Sequence, residues 1–165
     1  MLDEGKLVEA EPYLRDGLEK SRRVLGNEND DTLTAINGMG GLLVAQGKQA
    51  EAIALLAPAE VATRKAFPGD NAFRLASFLM HLGKARSGLG EFAAAEPNLL
   101  EAHDIFARTQ PPRYKRDLRD CIQAIVDLYA SWNAAERGKS YDTKAAEWKM
   151  KLDELGPPTP AAAAH

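Results

Sequence analysis

The sequence predicts an all-α fold, a stack of antiparallel helix pairs, and three observations lead there. A short phrase recurs, as GKLVEAEP at Gly5–Pro12, GKQAEAIA at Gly47–Ala54 and GEFAAAEP at Gly90–Pro97. Its glycines stand 42 and 43 residues apart, a constant period of the kind that marks stacked repeat units. Between them, residues of one kind return at steps of three and four: Ile36, Met39, Gly40 and Leu43, then Leu79, Leu82, Gly83 and Arg86, then Ile122, Ile125, Val126 and Tyr129. Those steps put each set on one helical face. Small residues also hold equivalent places on successive segments. Gly40 and Gly83 face the next helix, where Ala52 and Ala95 stand, and two small residues opposite each other let helices approach closely.

The elements follow in order, about seven helices in all. The first spans about 6–25, with Leu7, Leu14, Leu18 and Leu25 along one face, and Gly26 suits a left-handed position just past its end. The second, about 32–46, has Asp30, Asp31 and Thr32 as capping chemistry. The third, about 49–66, carries the Ala52-x3-Leu56 pair and stops at Pro68-Gly69. The fourth, about 72–88, has Asp70 or Asn71 as cap, and the fifth, about 91–108, ends before Pro111-Pro112. The sixth, about 113–132, meets Asn133 where the turn glycine would sit, and residues 134–144 read as an insertion before a seventh at about 141–155. This makes one domain over residues 1–155: an orphan helix, then pairs at 32–66, 72–108 and 113–155. The Pro-interrupted tail 156–165 is expected to be mobile. The first helix has no opening partner, so its leucine face is expected to be uncovered: either the chain is a fragment of a longer protein, or that face binds another chain, a second copy included.

Composition narrows the function. The chain has 165 residues with a net charge of −3 and 45% hydrophobic residues. It therefore has material for a core, and no basic field for nucleic acid. No apolar run approaches the roughly 20 residues of a membrane helix, and no leader is read at the start, so a cytoplasmic setting is expected, or an extracytoplasmic one if the chain is a fragment of a membrane-anchored parent protein. Cys121 is the single cysteine, which rules out an internal disulfide.

Taken together, the residues resemble the tetratricopeptide pattern W-x2-L-G-x2-Y followed by A-x3-F. The usual period there is about 34 residues; the longer one here is similar to kinesin-light-chain-type repeats. Leu25-Gly26, the polar stretch Asn27–Asp30 and then Asp31-Thr32 match that subfamily in order. The resemblance covers about residues 1–155, and the last unit is similar to closing repeats of bacterial proteins, including repeat regions attached to serine/threonine kinases. Arg86 departs from the pattern, which has an aromatic or Leu there; its stem is expected to cover apolar surface while the guanidinium reaches water.

The resemblance implies a right-handed α-solenoid whose first helices line a concave groove. The groove residues would be Thr34, Asn37, Gly38 and Gly41 in one unit, Ser77, Met80, His81 and Lys84 in the next, and Asp120, Gln123 and Asp127 in the third. The family often places Asn at the position of Asn37 to hold an extended peptide backbone. The groove is mixed in sign, which argues against a strongly basic clamp for carboxylates.

No catalytic chemistry stands out. NGMGGLL (37–43) lacks phosphate-loop spacing and a GK[ST] ending. His81, His103 and His165 are not at metal-ligand spacing, Cys121 reads as a small core residue, and no cofactor is expected. RYKRDLRD (113–120) reads as a salt-laced helix through Arg113–Asp117 and Arg116–Asp120. The expectation is a non-catalytic scaffold that binds a protein or peptide in its groove. Alternatives are a regulatory segment of a larger bacterial signalling enzyme such as a serine/threonine kinase, and a structural module for homo-oligomers.

Overall fold

A computed structural model describes residues 4–109 and 115–156, with side chains from residue 8 onward. It is all-helical, with no strand among the described residues. The helices are α1 (Glu4–Leu25), α2 (Asp30–Ala45), α3 (Gln49–Leu56), α4 (Glu60–Ala66), α5 (Ala72–Gly88), α6 (Phe92–Arg108), α7 (Lys115–Ala135) and α8 (Tyr141–Glu154). The tail beyond Gly156, with Arg113 and the Pro111-Pro112 break, lies outside the described residues.

Local chemistry explains the ends. Gly26 closes α1 at φ 84°, a conformation that costs a Cβ-bearing residue more than glycine. α2 begins earlier than expected because Asn29 is its cap: the Asn29 side-chain oxygen accepts from the Asp31 N–H at 2.9 Å. Asp30 and Asp31 then fall in the first turn, where the helix dipole favours carboxylates, and Thr32 turns into the core. Asn71 precedes α5 without a side-chain capping bond.

Two boundaries differ from expectation. The single helix anticipated over 49–66 is split into α3 and α4 by a 3-10 turn at Ala57–Ala59. Pro58 in that turn has no N–H to give and its ring crowds the preceding carbonyls, which breaks the α pattern. α7 runs through Asn133 to Ala135, so the insertion lengthens the helix, and the reversal is made by Gly138 and Ser140, both at positive φ.

Successive helices pack on one another, α3 and α4 excepted, which meet through the turn at Ala57–Ala59; α2 with α5, α3 with α5 and α5 with α7 join successive pairs. One continuous core results, from Leu18 and Leu33 through Phe78 and Leu99 to Leu128 and Trp132. The two small-residue sites behave alike. A Cβ on Gly40 would lie 2.6 Å from Leu56 Cδ2, and one on Gly83 would lie 2.7 Å from Leu99 Cγ. The close approach predicted for the glycines is present, but a leucine one turn after Ala52 or Ala95 fills it. Both alanines are fully buried.

Two of the α1 leucines turn inward: Leu18 is buried and Leu14 packs against the core, so these residues meet α2 rather than stand uncovered. Leu25 is exposed as expected, and the Leu7 side chain lies outside the described residues. The most exposed apolar residues of α1 are Tyr13 and Val24, 80% and 72% exposed, with Val8 also at the surface. Arg86 also differs: its guanidinium turns inward to donate to the Asn98 side-chain oxygen and the Ala94 carbonyl. Asn98 is buried, so a charge-assisted bond satisfies an acceptor that water does not reach.

Polar clamps tie the units together. Glu11 on α1 accepts from Arg15, Gln46 and Lys48. Arg64 on α4 grips Glu101 on α6 through two nitrogens, at 2.6 and 2.9 Å. At the far end Trp132 stacks on Tyr141 at 4.2 Å. There the Lys144 ammonium lies 4.9 Å from the Tyr129 ring centre and 3.1 Å from Glu96, which also accepts from the Tyr129 hydroxyl. Arg119 closes the end of α8 by donating to the Leu152 and Gly156 carbonyls.

Candidate functional site: the α2–α5–α7 face

The expected groove residues of α2 and α5 meet across the helix pair, about forty residues apart. Asn37 donates its amide N–H to Ser77 Oγ at 3.2 Å. His81 Nδ1 lies 2.9 Å from Asn37 Oδ1. An amide oxygen only accepts, so this contact assigns the proton to Nδ1 and leaves Nε2 as an acceptor. Burial, and secondarily the Lys84 charge, pull the His81 pKa down from 6.5 to about 4, so the ring is neutral at pH 7.

Glycine makes this seam fit. A Cβ on Gly41 would lie 2.7 Å from His81 Cε1, so the imidazole occupies the space that a side chain there would need. One turn toward the start of the helices, Arg74 donates to Thr34 Oγ1 at 3.1 Å, and Thr34 donates to the Asp30 carbonyl. The Arg74 guanidinium also lies 5.4 Å from the Phe67 ring centre, a cation–π distance. Gly38 differs from Gly41: nothing comes within 4 Å of a Cβ built on it, and it is exposed.

The other expected residues spread out. Met80 is only 6% exposed and belongs to the core, because its turn of α5 faces neighbouring helices. Lys84 is half-buried and makes no ion pair among the described residues. On α7, Gln123 donates to Asp127 at 2.8 Å, and both are exposed. Arg116 and Asp120 stand 4.0 Å apart, a loose surface pair. Asp117 is half-buried; that burial, then the Asp120 charge, raises its pKa. Asn37, Gly41, Ser77 and His81 therefore form one cluster, while Lys84, Gln123 and Asp127 stand beside it unlinked.

Cys121 is buried and donates to the Leu99 carbonyl at 3.5 Å. Burial pushes its thiol pKa up to about 12, so little reactive thiolate exists near neutrality. His103 lies against Asp104 and meets the Trp148 ring edge-on at 4.7 Å. Among the described residues no group of three His, Cys, Asp or Glu is placed to hold a metal ion. No helix there is long and apolar enough to cross a membrane.

The other face of α2 carries a feature that the sequence reading missed. Two adjoining clefts of about 430 and 330 Å³ open between α1, α2 and α3, sharing Arg22, Ala54 and Leu55. Their floor includes Ile36, Met39 and Leu43, and the small residues Ala54, Ala59 and Ala62 leave them open. The run of alanines around Pro58 is the one sequence signal for them, and helical periodicity alone passes over it. No protein-family model matches the sequence, and no curated protein matches it.

Proposed function

We propose that this chain is a non-catalytic protein-binding module, an α-solenoid of tetratricopeptide type that takes an extended protein segment along the face shared by α2, α5 and α7. The observation that carries this reading is the exposed, unobstructed Gly38 beside the locked Asn37–Ser77–His81 cluster. A ligand backbone can approach closely only where side chains are absent, and a polar cluster already held in one geometry costs little to organise on binding. Lys84 adds a cation that makes no ion pair among the described residues, and Asp127 an acceptor at the next helix. Their mixed sign suits a peptide with both charged and neutral polar side chains. A buried, unreactive Cys121 and a neutral His81 spent on an asparagine are what a binding face, rather than a reaction centre, would carry.

The test is selection of short displayed random peptides on the immobilised protein. Selected peptides are expected to bind Gly38→Leu and Lys84→Glu variants about tenfold or more weakly, while binding a Tyr13→Glu variant unchanged. Peptides that bind all three variants equally well would remove the groove reading.

A further inference from the structure

We propose that the outward face of α1 pairs with the same face of a second copy of this chain, antiparallel and about a two-fold axis between residues 18 and 19. Tyr13 and Val24 are the two apolar side chains α1 presents to solvent on this stripe, and both are strongly exposed. They stand three turns apart, about 16 Å along the helix. Between them Gly17 is open, with nothing within 4 Å of a Cβ, so another helix can approach there. Centred between residues 18 and 19, an antiparallel partner sets its Val24 over Tyr13 and its Tyr13 over Val24. The same contact is then made twice, as a two-fold axis requires.

Charge selects this direction and a second copy as occupant. Asp16, Lys20 and Arg23 lie exposed on one flank of the stripe, with Asp16 and Lys20 paired at 2.6 Å within the helix. Antiparallel helices bring like flanks together. Asp16 then faces Lys20 and Arg23 of the other copy, and the pattern complements itself. A parallel pair would instead set this flank against the opposite one, where Leu14 and Ser21 stand, and leave its charges without partners on the other copy. The residues it uses are all on α1 and none belongs to the Asn37–Ser77–His81 cluster, so the pairing stands independently of the peptide-binding reading.

Sedimentation equilibrium over a wide concentration series tests it on the intact chain. The wild-type average mass is expected to climb toward twice the monomer value. Tyr13→Glu is expected to hold it at the monomer value with unchanged helicity. Asp16→Lys is expected to weaken association about tenfold, and combining it with Lys20→Glu and Arg23→Glu restores it, because the pattern is then complementary with signs exchanged. A wild-type chain that stays monomeric throughout overturns the proposal and leaves this face to a different protein. So does a dimer indifferent to Tyr13→Glu. An Asp16→Lys variant that associates as tightly as wild type overturns the antiparallel arrangement.

Discussion

Gly40 lies directly beneath Leu56, with room for a hydrogen and none for a methyl group. A Cβ there would stand within 2.8 Å of Leu56 Cγ as well as of both its methyls, so turning the leucine side chain does not clear the space. Gly40→Ala is therefore expected to destabilise the chain: overpacking costs about 1–3 kcal/mol, partly offset by about 1 kcal/mol of helix propensity. Gly38→Ala, two residues away in open space, is expected to stabilise by up to about 1 kcal/mol. Urea unfolding of the two variants checks the contrast, and equal effects would contradict this packing.

Glu11 is held by Lys48, Arg15 and Gln46, which together lower its carboxyl from 4.5 to about 2. A depressed carboxyl contributes stability that is complete above its unfolded pKa and is lost as pH falls through the folded one. The clamp between α1 and the α2–α3 turn is thus expected to weaken between about pH 4.5 and 2. Melting temperature followed over that window should fall less steeply in Glu11→Gln than in the wild type.

His81 titrates with the same sense for a different reason. Its folded pKa is about 4 against 6.5 when free, so on acidification the unfolded chain takes up the proton first. Stability from the neutral ring is complete above pH 6.5 and is lost as the pH falls toward 4. Nitrogen NMR of the ring is expected to show the proton on Nδ1 at neutral pH and a midpoint near 4. A proton on Nε2 would mean that the Asn37 contact is not made, and a midpoint near the free value would mean that the ring is not buried.

Cys121 is buried between α6 and α7 with its thiol pKa pushed up to about 12. A thiol-reactive dye is expected to leave it untouched in the folded protein and to modify it on denaturation. The native labelling rate should track global unfolding. Rapid native labelling would place the thiol at the surface.

What the sequence determined by itself was the helical alphabet. Periodicity in steps of three and four, the left-handed glycine at 26, and the recurring small residues depend on a few neighbouring positions, and these features reappear in the structure. Tertiary structure decided the rest. It turned Leu14, Leu18 and Met80 inward, bent Arg86 onto Asn98, and joined Asn37 to Ser77 and His81. Each of those outcomes depends on which side chain on a neighbouring helix fills a given gap. A residue's own segment sets its face of the helix, but whether that face meets water, a core or a hydrogen-bond partner is set by residues up to some forty positions away.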